Sequence, residues 1–136
     1  MKQISLLLLV VALILTACSS GPISDAYTAA GDDNHPDKTQ KTRSFKGDDD
    51  LNVVVVLNTH TRTLPIYAVF TGPTGNTYST DPVEADKTTG KVLLGLDWET
   101  QGGGGSWPAG EWTAEVYVEQ TKEATLEFEV AAAPAQ

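Results

Sequence analysis

Apolar and polar side chains alternate along several stretches of this 136-residue chain, and this pattern is its strongest constraint on fold. In EWTAEVYVEQ, residues 111–120, every second residue from Trp112 to Val118 is apolar. ATLEFEV, residues 124–130, repeats the pattern, and LNVVVVLN, residues 51–58, is rich in β-branched residues. Successive side chains of a strand point to opposite faces, so these stretches predict strands with one buried face.

Further alternating runs are LPIYAVF at 64–70 and KVLLGLDW at 91–98, with a weaker polar candidate, NTYST, at 76–80. About seven short runs separated by turn residues predict an all-β fold, a two-sheet antiparallel sandwich over residues 44–131. A domain of about 90 residues buries roughly 60–65% of its unfolded surface, which is enough to fold without disulfides. Residues 132–136 are predicted to be a short tail.

The N-terminus has the pattern of an export signal. A basic start, Met1-Lys2-Gln3, precedes residues 4–15, which are apolar apart from Ser5. Twelve helical residues span about 18 Å, and a bilayer core needs about 20 residues. Residues 1–17 are therefore predicted to be a signal peptide rather than a membrane span.

The end of this signal, Leu15-Thr16-Ala17-Cys18, resembles the lipobox of bacterial lipoproteins. The resemblance implies a diacylglyceryl group on the Cys18 sulfur, cleavage before Cys18 and acylation of its amine, for example by palmitate. It also implies an outer-membrane location, because Ser19 stands where an aspartate retains such lipoproteins at the inner membrane. Whether the domain faces the periplasm or the cell surface stays open. The alternative is an ordinary signal peptide with an incidental Cys18.

Residues 18–43 are rich in Ser, Thr, Gly, Asp and Pro and show no sustained apolar periodicity. Such a segment buries too little to order itself. The sequence predicts a lipidated flexible tether with a reach of about 25–30 Å.

Charge and cysteine content exclude several kinds of site. The formal net charge is −9, which repels nucleic acid phosphates and anionic lipid headgroups. A single cysteine can form neither an internal disulfide nor a cysteine-based metal site.

A second resemblance rests on GDDDLNVVVVL, TGPTGN, SWPAGEWTAEVYVEQ and ATLEFEV, which look like immunoglobulin-like accessory domains of bacterial envelope proteins. The shared features are a turn with Pro108 and Gly110, an aromatic residue at Trp112 and a final strand containing Phe128. Both core cysteines of antibody domains are missing. Trp112 stands where many such domains have a tyrosine, so the hydrogen bond of a tyrosine corner is left open.

Asp48, Asp49 and Asp50 are a weak candidate for calcium, which prefers several oxygen ligands. The run lacks the spaced acidic pattern of a calcium loop, and a solvated turn before a strand is the alternative. No other metal or cofactor is predicted.

The loop TQGGGGSWPAG is the most unusual segment of the chain. One interpretation is that Gly102, Gly103, Gly104 and Gly105 let an exposed Trp107 contact a partner, since tryptophan is common in binding hot spots. The alternative, which we favour, is that Trp107 packs over the end of the sandwich.

Catalytic chemistry is not predicted. His60 lies in a loop without the spacing of a nucleophilic triad or a G-x-S-x-G elbow. The glutamates at 115, 119, 127 and 129 are expected on a solvated face, where burial cannot tune their pKa values.

The leading hypothesis is a non-enzymatic outer-membrane lipoprotein whose sandwich binds another envelope component, such as a protein. One alternative is a structural subunit that self-associates through strand edges or the acidic face. Another is a carbohydrate or small-ligand binder with Trp107 as its exposed stacking platform.

Overall fold

The computed structural model describes residues 21–31, 36–102 and 105–132, and almost all of its regular structure is β. A 3-10 turn lies at Pro36–Lys38, and the helix α1 is the single turn Trp98–Gln101. The strands are β1 (Ile23–Ala30), β2 (Gln40–Lys41), β3 (Ser44–Phe45), β4 (Leu51–Leu57), β5 (Leu64–Thr71), β6 (Thr77–Ser79), β7 (Val83–Ala85), β8 (Lys91–Leu96), β9 (Gly110–Val118) and β10 (Thr121–Val130).

These strands form two sheets packed face to face. Sheet A has the order β2-β1-β4-β8, and sheet B has the order β3-β10-β9-β5-β6, with β7 also paired to β5. In chain order the long strands distribute as in an immunoglobulin-like sandwich, with the first, second and fourth in one sheet and the third, fifth and sixth in the other. The predicted all-β sandwich is confirmed. Six long strands carry it, and four further strands are pieces of two or three residues.

The predicted faces of the strands are the observed ones. Along β5 and β9 every second residue is buried, and the buried side chains meet those of sheet A. Trp112 and Phe70 are the largest fully buried side chains of this core. The core consists of Phe45, Leu51, Val53, Val55, Leu57, Leu64, Ile66, Ala68, Phe70, Ala85, Val92, Leu94, Leu96, Trp107, Trp112, Ala114, Val116, Val118, Phe128 and Val130.

The predicted tether over residues 18–43 is wrong for its described part. Residues 23–30 form β1, which pairs antiparallel with β4 over most of the length of that strand. Thr28 and Ala29 are buried there. The composition predicted disorder because β1, ISDAYTAA, contributes few large apolar side chains. Its stability comes from the β4 ladder, which is a tertiary interaction. The sandwich therefore begins at Ile23 rather than at residue 44.

The connection after β1 packs back on the outer face of sheet A. Gly31 O accepts a hydrogen bond from Asn52 Nδ2 at 2.9 Å, and Asp37 pairs with Lys91 of β8 at 3.3 Å. Val54 of β4 is fully buried on this side, away from the main core. Residues expected in a solvated linker thus cover the second face of the most apolar strand.

The chain then moves from one sheet to the other. After β2, residues 42–43 lead to β3, which runs parallel to β10 with Val130 opposite Phe45. This parallel pair is the exception to the predicted antiparallel arrangement.

The last hairpin is tighter than the sequence suggested. Val118 pairs with Thr121, so the turn is Glu119-Gln120 and β10 begins three residues before the predicted run at 124–130. A bulge lies between Lys122 and Ala124, and beyond it Phe128 and Val130 lie on the buried face.

Candidate binding surfaces

The described chain starts at one end of the sandwich, and this distinguishes the two ends. At one end, Asn58 binds the start of the described chain: its N–H donates to Pro22 O at 2.9 Å, and its Nδ2 donates to Gly21 O at 2.6 Å. The loop 58–63, the turn 86–90 and the turn 119–120 lie at this end, which we call the near end. The turn 46–50 and the loop residues 97–102 and 105–109 lie at the opposite end, the far end.

Trp107 is buried at the far end, with only 2% of its surface exposed. Its indole N–H donates to Asp49 O at 2.7 Å, and its backbone N–H donates to Gly47 O at 2.8 Å. The hypothesis that Trp107 is an exposed partner contact is therefore wrong, and the favoured packing over the end of the sandwich is confirmed. The carbohydrate alternative also loses the exposed platform on which it depended.

Of the four consecutive glycines in this loop, the structure describes Gly102 and Gly105. Gly102 ends α1, with its N–H bonded to Trp98 O at 2.9 Å. Gly105 O accepts the indole N–H of Trp98. Gly103 and Gly104 lie outside the described residues.

Trp112 occupies the position of the tyrosine corner and supplies its hydrogen bond. Its indole N–H donates to Pro108 O, four residues earlier, at 2.8 Å. Its ring lies 5.9 Å from that of Trp107 and 6.0 Å from that of Phe128. An indole N–H therefore replaces the phenol O–H that ties the start of this strand to the preceding loop.

Two of the three aspartates before β4 accept hydrogen bonds from backbone N–H groups. Asp49 Oδ2 accepts a hydrogen bond from Lys46 N–H at 2.7 Å, which closes the turn. Asp50 Oδ1 accepts from Trp98 N–H at 2.7 Å, which ties the turn to α1. Among the described residues, no group of three or more His, Cys, Asp or Glu side chains is arranged to hold a metal ion.

An open cleft of about 600 Å³ lies beside Asp48, Asp49 and Asp50. Its other lining residues are Gly31, Asp97, Trp98 and Glu99. The far end thus presents acidic side chains around a half-buried tryptophan.

A groove of about 490 Å³ runs between β1 of sheet A and β10 of sheet B. Lys41 and Arg43 line it, with Tyr27 and Leu126 as its larger apolar side chains and Glu127 at its border. Lys41 Nζ lies 5.2 Å from the centroid of the Tyr27 ring, and Arg43 Nε donates to Glu127 O at 3.1 Å. Lys41 beside an aromatic ring, with Arg43 on the same groove, gives this acidic protein a basic surface.

The groove is absent from the sequence-based predictions because its basic side chains belong to the segment predicted to be a tether. The signal that was available is the KTR sequence at 41–43, two cations one residue apart. Without the pairing of β1 with β4, nothing places these cations beside β10.

His60 links the loop 58–63 to the turn 86–90 at the near end. Its Nδ1 lies 2.9 Å from Asn58 O, and its Nε2 contacts Asp86 O. The pKa of His60 is raised, first by the hydrogen bond to Asn58 O and then by those to Asp86 and Ala85, since carbonyl oxygens stabilise the imidazolium. Both ring nitrogens contact backbone acceptors, so this imidazole is not oriented as a general base.

The outer face of sheet B is acidic, as predicted for Glu127 and Glu129, but the prediction is wrong for Glu119, which lies half-buried in the turn after β9 rather than on this face. Glu127 and Glu129 are exposed on β10, beside Glu111 on β9. Glu115 pairs with Lys122 at 2.9 Å, and this hydrogen bond raises the pKa of Lys122. The face also carries Tyr67 and Tyr117, which stack on one another at 5.0 Å between ring centroids.

The lipobox residues and Cys18 lie outside the described residues, so the lipidation site stays a prediction. In the part of the chain that the structure covers, no helix is long and apolar enough to cross a membrane.

Comparison with known proteins gives no family. No family matches this chain, and no curated protein matches it either. A solved structure with some similarity is that of the alkylpurine DNA glycosylase AlkC from Pseudomonas fluorescens, bound to DNA containing an abasic site analog. The identity is 12%, the TM-score is 0.41, and the match covers 80% of this chain but 31% of that one. The chain spans about a third of that protein, and a likeness this weak carries no argument about function.

Proposed function

We propose that this chain is a non-enzymatic lipoprotein of the bacterial outer membrane, whose immunoglobulin-like sandwich binds another envelope component. The observation that carries the proposal is the lipobox-like Leu15-Thr16-Ala17-Cys18 directly ahead of an all-β sandwich, and the short separation between Cys18 and the folded domain sets how an anchored domain would stand. Gly21, only three residues after Cys18, is already hydrogen-bonded to Asn58. Three extended residues span at most about 11 Å.

A lipidated Cys18 would therefore hold the near end against the membrane surface. Two or more acyl chains anchor a protein stably, whereas one chain holds it only marginally. Such an anchor also fixes orientation, because the far end then points away from the lipid. The short link replaces the 25–30 Å tether that the sequence suggested.

A binding role is supported by the charged surfaces of the sandwich. The basic groove with Lys41 and Arg43 lies on its side, and the acidic cleft lies at its far end. Neither contains a histidine or a cysteine among its lining residues. Both lie clear of the near end, so both stay accessible to a partner above the membrane.

Lipidation is tested by mass spectrometry of the N-terminal peptide of the native protein and by membrane fractionation. We expect a diacylglyceryl thioether on Cys18, and we expect Cys18→Ser to be absent from the lipid-modified pool. Ser19→Ala is the matched control and should remain lipidated. An unmodified Cys18 thiol in the native protein would refute the anchor.

Partner binding is tested with photo-crosslinking residues placed singly at three exposed positions. Thr125 reports on the basic groove, Glu99 on the far end and Arg62 on the near end. We expect a defined protein or polysaccharide adduct at Thr125 or Glu99. Lipid adducts alone, at all three positions, would contradict a binding role for the sandwich.

A further inference from the structure

Each sheet of the sandwich has two edges. On one side of the sandwich, β2 covers only the last two residues of β1 and β3 covers only the last two residues of β10, so the remainder of these two strands borders the basic groove. The opposite edge of sheet B is divided between β6 and β7, of three residues each. The fourth edge is β8, with six residues, no proline and no bulge. Natural sheets usually protect an edge of this kind.

The backbone of β8 offers hydrogen bonds on its open side. Leu57 N–H donates to Gly90 O, the residue directly opposite it. Hydrogen-bonded pairs recur at every second residue of an antiparallel ladder, so Val92, Leu94 and Leu96 are the residues of β8 that bond to β4. The N–H and C=O groups of Lys91, Leu93 and Gly95 then point away from β4. Among the described residues these groups have no hydrogen-bond partner, because β7 lies beside β8 without pairing with it.

The charges of two β8 strands are complementary when the strands run antiparallel. β8 begins with Lys91 and is followed by Asp97 and Glu99, so one end is basic and the other acidic. An antiparallel pair of β8 strands brings opposite charges together, whereas a parallel pair would bring like charges together.

One register pairs the open backbone groups of the two β8 strands and also brings their opposite charges together. With Leu93 opposite Leu93 of a second copy, Lys91 faces Gly95 of that copy, which has no side chain to obstruct it. Lys91 is then diagonal to Asp97 of the second copy, a separation of about 7–8 Å that a lysine side chain can bridge. Lys91 would exchange its exposed partner Asp37 of the same chain for Asp97 of the second copy. The two half-buried leucines cover each other at the two-fold axis.

We propose that two copies of this chain associate antiparallel through β8, joining their A sheets into one continuous eight-stranded sheet. This inference does not depend on the lipid anchor. It assigns the sandwich an interface separate from the basic groove, which lies at the other side of sheet A. A membrane-bound protein could therefore dimerise and bind a partner at the same time.

The decisive experiment uses the full chain with Cys18→Ser, so that an introduced cysteine is the sole thiol. In Leu93→Cys, the cysteines of two copies meet at a Cα separation of about 5.5 Å, within the range of a disulfide. We expect covalent dimers under mild oxidation. Thr77→Cys on the β6 edge is the matched control and should remain monomeric. Equal crosslinking of the two variants, or none for Leu93→Cys, would overturn the proposal.

Charge reversal tests the register. Lys91→Glu should weaken disulfide formation by about threefold or more at low salt, since exposed ion pairs are weak individually. Adding Asp97→Lys in the same chain should restore it. Failure of this rescue in a folded double variant would exclude the proposed pairing.

Amide hydrogen exchange on the unsubstituted chain provides a measurement without variants. At rising protein concentration, the amides of Lys91, Leu93 and Gly95 should become protected. Exchange at these three amides that is independent of concentration would contradict dimerisation through β8.

Discussion

Glu119 carries the clearest local strain of the chain. It is the first residue of the two-residue turn between β9 and β10, and among the described residues only Glu119 combines a side chain with positive φ, at 59°. Such a conformation costs a residue with a Cβ about 1–2 kcal/mol. Its carboxylate pairs with Arg62, but both side chains are substantially exposed. An exposed pair contributes only about 0–1 kcal/mol.

Glu119→Gly should therefore unfold at higher denaturant concentration than Glu119→Ala, by about 1 kcal/mol in the free energy of unfolding. Both variants lose the Arg62 pair, so their difference reports the backbone alone. Chemical denaturation followed by tryptophan fluorescence measures it. Equal stability of the two variants would show that the turn is not strained.

His60 should make stability depend on pH. Its pKa is raised in the folded protein by hydrogen bonds to carbonyl oxygens, with the Asn58 O contact contributing most. Its stabilising contribution is complete below the unfolded pKa of about 6.5 and is lost as pH rises through the raised folded pKa. Asp86, whose own pKa is lowered by Thr88 and Thr89, remains ionised throughout this range.

The prediction is that the wild type loses more stability than His60→Gln when the pH is raised from below 6.5 to about 8. Thermal unfolding at several pH values gives the comparison. The second histidine, His35, is present in both proteins and cancels in the difference. Parallel pH profiles would contradict the role assigned to His60.

At the scale of the element, polar contacts tie loops to strands. The far end is closed by indole N–H groups, with Trp107 bonded to Asp49 O and Trp112 bonded to Pro108 O. On sheet A, Asn52 of β4 reaches back to Gly31 O and lies against Gly95 of β8. One buried amide thus joins two strands to the connection that covers them.

Gly95→Ala should disrupt this arrangement. An added Cβ would lie 2.3 Å from Asn52 Oδ1, and relieving such overpacking costs about 1–3 kcal/mol. Gly90→Ala is the control, because nothing lies within 4 Å of the Cβ it adds. Its stability should stay within about 0.5 kcal/mol of the wild type. Equal thermal stability of Gly95→Ala and Gly90→Ala would show that the Asn52 side chain moves aside without a loss of stability.

At the scale of the whole molecule, the position of Gly21 decides how a lipidated chain would stand. The nine residues of β9 span about 30 Å, which approximates the distance between the two ends. A fluorophore on Arg62→Cys should be quenched strongly by lipids with spin-labelled headgroups, and one on Glu99→Cys should be quenched weakly. Equal quenching in vesicle-bound protein would contradict the orientation.

The sequence predicted the sandwich because alternation is a local property. Each residue of β9, from Trp112 to Val118, lies on its expected face, since a strand that must bury one side has a fixed side-chain period. The exposure of Glu127 and Glu129 on the outer face of β10 also followed from this alternation.

Only the tertiary structure decided the role of residues 23–43. Their composition is that of a linker, and β1 is ordered by hydrogen bonds to β4, a partner about 30 residues away in the chain. That pairing brings Lys41 and Arg43 beside β10, places Gly21 against Asn58 at the near end, and leaves β8 as an open edge of sheet A. Local pattern fixes which side of a strand is apolar, but which strands become neighbours depends on long-range pairing that no local pattern encodes.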